Sequence, residues 1–143
     1  MNRLLGTLTG IALMAGLAAP MAARAEDKDV IDYRQNVMKT LGSQVAILGA
    51  MAQKKIPNDN FAAHLQILAE TAASAKAAFT PKVVGGKSKA TIWDNSADFN
   101  KKLDELVQVA TAGATAAKAQ GAAAGMPRLT CKGCHDVYRE ETK

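Results

Sequence analysis

The sequence predicts an all-α chain folded as an antiparallel four-helix bundle, on three observations. Aromatic residues make up only 4% of the 143 residues, fewer than a β-sandwich or barrel normally uses. Alanine, the best helix former, dominates in their place. Two stretches set apolar residues at alternating steps of four and three, the seam of a helix lying nearly parallel to its neighbours. The length allows one domain. A hydrophobic share of 48% supplies a core, and a charged share of 22% argues against disorder.

Residues 1–25 read as a cleaved secretory signal peptide. Arg3 gives a short basic start, an uncharged apolar run follows, and Ala23-Arg24-Ala25 is an A-x-A cleavage signal. The run from Leu4 to Ala23 could just span a bilayer, but Gly6, Gly10, Gly16 and Pro20 interrupt it. The expectation is cleavage after Ala25, leaving a domain of residues 26–143 in the periplasm, with no membrane segment. That domain carries 16 basic against 13 acidic residues, too even a balance for a nucleic-acid partner.

The first helix is expected from about Val30 to Gln53, where Val30, Arg34, Val37, Met38, Leu41, Val45, Leu48 and Met51 share one side. Pro57 and Asn58-Asp59-Asn60 end it and offer an N-cap for the second. The second carries the seam Phe61, Leu65, Leu68, Ala72, Ala75 and Phe79. Thr80 to Thr91, with Pro81, Gly85, Gly86 and three lysines, reads as a loop. The third helix starts near Ser96 and carries Phe99, Leu103, Leu106, Ala110 and Gly113, where the glycine would admit a close neighbour, either another helix or a flat ligand. The Ala- and Gly-rich passage from Ala110 to Gly125 must hold the turn into the fourth, which Pro127 either starts or kinks.

The chemistry is concentrated in Cys131-Lys132-Gly133-Cys134-His135. Both cysteines of the chain fall in this C-x-x-C-H run, the attachment signature of a c-type haem. On a helix, residues three and four apart share a face. Cys131 and Cys134 can reach the two vinyl groups of a porphyrin, and His135 can turn its imidazole onto the iron. A disulfide loop, a thioredoxin-like motif and a zinc site compete with this reading. The thioredoxin motif needs a βαβ setting, and zinc needs four ligands where only His64 is left as a further soft one. The export signal and the adjacent His favour one haem c held by two thioethers.

With this motif near its C-terminus on an Ala-rich bundle, the chain resembles the class II c-type cytochromes, the family of cytochrome c′ and its low-spin, six-coordinate relatives. DYRQNVM at 32–38, AAFTPKVVGGKSKATIW at 77–93 and CKGCHDVYR at 131–139 carry the likeness over essentially the whole domain. The resemblance implies that His135 is the proximal iron ligand and that Cys131 and Cys134 are the anchors. It places Arg34 near a haem propionate with Gln35 beside it, Phe79 in the pocket wall, and Arg139 next to the proximal imidazole. It also allows a homodimer pairing the first two helices.

The sixth iron position separates two functions. Of the three methionines after residue 25, Met126 is close before the motif and Met51 is over three turns beyond Met38. Met38 lies one turn from Arg34 on the same face and would reach the iron if Arg34 reaches a propionate. In the family, a Met there either ligates iron or merely crowds the site. The favoured expectation is an electron carrier with His135 and Met38 as axial ligands, serving periplasmic redox partner proteins; VAILGAMAQ at 45–53 resembles the six-coordinate members. The alternative is a five-coordinate protein binding nitric oxide or other diatomic gases, shielded by Met38, Val37 and Phe79. An enzyme such as a peroxidase is not expected, since its distal acid or base would have to be His64.

Overall fold

The computed structural model describes residues 26–125, 127–129 and 131–141; the signal-peptide reading and Met126 lie outside them. Six helices follow in order: α1 Asp27–Ala52, α2 Phe61–Phe79, α3 Thr91–Asp94, α4 Ser96–Gln120, α5 Ala122–Gly125 and α6 Cys131–Tyr138. Among the described residues there is no strand, only isolated bridges joining Ser88 to Gly85 and to Arg139. The fold is the expected antiparallel four-helix bundle, with α1, α2 and α4 as the long members and α5–α6 as the fourth.

The helical spacings explain the packing. On α1, Val30, Arg34, Val37, Leu41, Leu48 and Met51 are buried, and Asp27 and Asp29 complement the dipole at its first turn. The α2 seam is fully enclosed: Leu65, Leu68, Ala72 and Ala75 are each 0% exposed. α2 packs against both α1 and α4, while α5 lies on α4. Leu65→Ala should therefore lower the unfolding free energy of the haem-loaded protein by about 2–5 kcal/mol in a denaturant titration, the range for emptying a closed core site.

Helix ends have local causes. α1 starts at Asp27, three residues before the expected Val30, and stops at Ala52, one residue short of the expected Gln53, where Lys54 takes a left-handed conformation (φ 56°). The Lys55 N–H then bonds the Ala50 carbonyl at 2.9 Å and the Lys54 N–H bonds that of Met51 at 3.0 Å, the pair of bonds that closes a Schellman cap. Asn60 holds the N-cap position of α2 but makes no side-chain cap bond. α4 runs on to Gln120 and the turn falls at Gly121, with φ 91°. Pro127 neither starts nor kinks a helix; it lies in the non-helical link between α5 and α6, where its missing N–H costs no helical bond. The close approach at Gly113 is to the α5 backbone: a Cβ there would sit 2.6 Å from the Gly125 carbonyl oxygen.

The core forms two clusters. One joins Leu41, Leu48, Met51, Phe61, Leu65, Leu68 and the small residues of α4. The other joins Val37, Ala75, Phe79, Ile92, Phe99, Leu103 and Tyr138. Met38 packs against both.

Candidate haem site

A cavity of about 730 Å³ is lined by residues of both clusters, including Met38, Leu41, Val45, Leu68, Phe79, Phe99 and Leu103, and by Cys131, Cys134 and His135 of α6. Its size falls within the range of ligand and cofactor pockets. The walls are mainly apolar, while the charged lining is almost all cationic: Arg34, Lys39, Lys87, Lys102 and Arg139 against Glu105. An apolar macrocycle with two carboxylates matches that donor set. The residues present therefore fit a haem c, with the C-x-x-C-H helix as part of the wall.

The aromatic side of the cavity is built by Phe79, Phe99 and Tyr138. The Phe79 and Phe99 rings are 4.9 Å apart and tilted, and Phe99 meets Tyr138 edge-on at 5.3 Å, geometries that suit the ring quadrupoles. The Tyr138 hydroxyl donates to the Asp98 carboxylate at 2.6 Å. That bond to a negative acceptor pushes the phenol up to about 12, so it stays a donor and holds α6 to α4.

No disulfide joins the two cysteines, and both are half-buried. Burial pushes the Cys134 thiol up from its usual value, the opposite of what a redox-active C-x-x-C thiol needs. Burial, then the Arg139 charge, lowers the His135 imidazole, with Asp136 opposing; both main effects favour the neutral ring, the form that donates a lone pair to a metal. Among the described residues there is no group of three or more His, Cys, Asp or Glu that could hold a metal ion, which leaves the zinc reading without a site.

The structure brings Arg34, Gln35, Met38, Phe79, Cys131, Cys134, His135 and Arg139 to one cavity. Arg34 is 2% exposed, a buried charge. The expected propionate contact is qualified, because three of its donors are committed to carbonyls. Its Nε donates to Ala78 at 2.9 Å, one terminal nitrogen to Pro81 at 2.6 Å, and the other to Val83. Val37 is buried in the second cluster and is not part of the cavity lining. His64 is likewise outside it, with Nδ1 2.8 Å from Gln44 Oε1. Lys39, Lys87 and Lys102 belong to the lining and have no local sequence signal, while Phe99 was legible only as a seam residue; their convergence arises only from the packing of separate elements.

An all-α bundle with a C-x-x-C-H helix forming one wall of an apolar, cation-lined cavity defines a class II c-type cytochrome. The family profile described as Cytochrome C′ matches residues 29–139, and the chain belongs to the cytochrome c′ family. Proteins of that family carry one covalently attached haem c. The cytochrome c′ of Pararhodospirillum photometricum is 33% identical over 129 residues, covering 81% of this chain and 100% of that protein. A cytochrome c-556 of Agrobacterium tumefaciens is 33% identical over 115 residues, covering 76% of this chain and 92% of that one. Among solved structures, a point variant of cytochrome c prime from Alcaligenes xylosoxidans in complex with nitric oxide superposes with a TM-score of 0.71 at 27% identity, covering 82% of this chain and 98% of that one.

Proposed function

We propose that this chain is a gas-binding haem protein, five-coordinate at rest, with Cys131 and Cys134 as thioether anchors and His135 as the iron ligand. When bound, the haem supplies an iron that takes the imidazole and leaves one position for a diatomic gas such as nitric oxide. The observation that carries the reading is the cavity wall. Met38, Leu41, Val45, Leu68, Phe79, Phe99 and Leu103 give the cavity a broad apolar wall, which suits a small neutral gas. The likeness to a structure solved with nitric oxide supports the same reading.

This reverses the preference for a six-coordinate carrier. The family match is to cytochrome c′, and the likeness to low-spin members rests on Met38 and the passage at 45–53 alone. That side chain keeps the carrier as the second reading: Met38 lines the cavity, and Met–His ligation would raise the reduction potential. The periplasmic setting and the signal peptide belong to the proposal; no described helix is long and apolar enough to cross a membrane. A homodimer through α1 and α2 belongs to the proposal as well; Tyr33 on α1 and Ile67 on α2 are exposed large hydrophobic residues.

The test is an absorption and paramagnetic-resonance spectrum of the purified haem-loaded protein, followed by titration with carbon monoxide and nitric oxide. The expected result is a high-spin resting spectrum and saturable binding of both gases. A low-spin spectrum with the near-infrared band of iron–thioether ligation, and gas binding limited by ligand loss, would move the function to the carrier.

A further inference from the structure

Residues 80–90 leave α2 and return to α3 across one edge of the haem cavity, and Gly86, Lys87 and Ser88 line it. Two different parts of the molecule hold this segment. On one side it is pinned to α1. Arg34 donates to the carbonyls of Ala78, Pro81 and Val83, and its guanidinium lies 5.3 Å from the Phe79 ring centre and 4.9 Å from that of Trp93. Gly85 and Gly86, at φ 138° and 59°, bring the backbone onto Ile31 and Gln35; a Cβ on Gly86 would lie 2.5 Å from Ile31 Cγ2.

On the other side the segment is hydrogen-bonded to the end of α6. The Lys89 N–H donates to the Tyr138 carbonyl at 3.1 Å, and the Glu140 N–H donates to the Lys87 carbonyl at 2.9 Å. Ser88 bridges Arg139, and the Thr91 hydroxyl donates to the Val137 carbonyl at 3.4 Å. α6 has only eight residues, too few to be a stable helix alone. It packs on α3 and α4, and these backbone bonds join it to a segment that Arg34 fixes to α1.

We infer that residues 80–90 form a strap that positions the C-x-x-C-H helix, and that Arg34 is a positioning residue for His135, acting through the strap. The inference rests on the proposed ligation by His135 for its final step and on the hydrogen bonds of the strap for the rest. A guanidinium is needed because its planar fork reaches several carbonyls at once, and with any other side chain the buried Ala78 carbonyl and the part-buried Pro81 and Val83 carbonyls would lose this donor. Lys keeps the charge and loses the fork.

The test uses haem-loaded protein with Arg34→Lys and, independently, Gly86→Ala, which disturbs the strap at its glycine contact with α1 and leaves Arg34 in place. Amide exchange is followed by nuclear magnetic resonance, together with the paramagnetically shifted signals of the His135 ring, which report its geometry at the iron in either spin state. In both variants the Lys89 and Glu140 amides should exchange about tenfold faster or more, as local opening becomes easier. The Ala72 and Ala110 amides, in the long helices, should keep their rates, and the His135 ring signals should move. Unchanged exchange at Lys89 and Glu140 in both variants overturns the strap. Faster exchange with unmoved His135 signals overturns the positioning role. Absence of shifted His135 signals in the wild type would refute ligation by His135 instead, and the exchange rates would still decide the strap.

Discussion

Replacing both Cys131 and Cys134 with Ala should release the haem into acidified solvent and remove much of the native order of the chain. Each single replacement should leave at most one thioether. The loss of order follows from the size of the site. The haem would fill a partly open, largely apolar cavity of about 730 Å³, and without it the chain must wet that apolar wall, collapse onto it, or loosen. Loosening should begin at α6, which is short and carries both replaced residues. Binding of a ligand to the native state alone adds to stability, so haem loss subtracts that contribution as well. The measurements are solvent extraction of the haem, far-ultraviolet circular dichroism and thermal unfolding. Haem retained by the protein after extraction of the double variant would refute the C-x-x-C-H reading. Full native helicity with a sharp transition in the haem-free variant would refute the cavity argument.

The parts of the fold legible in the sequence are those governed by local rules. The seam Phe61, Leu65, Leu68, Ala72, Ala75 and Phe79 is a repeat along one helix, and all six residues are buried. The C-x-x-C-H motif needs only one face of one helix, and all three of its functional side chains reach the cavity. What escaped depends on distant partners. The carbonyls that Arg34 bonds lie 44 to 49 residues along the chain, so its spacing on α1 marked a buried face but could not name its acceptors. His64 looked like a spare imidazole because Gln44, 20 residues earlier, is brought to it only when α1 packs on α2. The end of α1 was legible to within a residue, but not its cap, a left-handed lysine in a conformation that ordinary propensity disfavours and assigns to glycine. The sixth iron position was read from the placing of Met38 and the passage at 45–53, and a methionine at a cavity wall serves equally as ligand and as filler.

Substitution of Met38 by Ala separates those two roles. Met38 is half-buried and packs against both core clusters. As a filler, it occupies space that an incoming gas must share. Met38→Ala should then leave the resting spectrum of the haem-loaded protein high-spin and unchanged. Association of carbon monoxide and nitric oxide should become faster, by about tenfold for each 1.4 kcal/mol of steric barrier removed. The lost packing should lower stability by about 2 kcal/mol, the low end of the range for Met→Ala because the side chain is only partly enclosed. Met51→Ala is the control. Met51 is 6% exposed in the first cluster and is not part of the cavity lining, so its loss should cost stability and leave both the spectrum and the gas rates alone. As an iron ligand, Met38 would behave differently: the wild type would be low-spin, the variant would turn high-spin, and the reduction potential would fall. Stopped-flow gas binding and the resting spectra of the three proteins distinguish the cases. A low-spin wild type that becomes high-spin only in Met38→Ala would establish the thioether as ligand and return the protein to electron transfer. A gas rate raised equally by Met51→Ala would show that neither methionine guards the site and that general loosening of the bundle controls access.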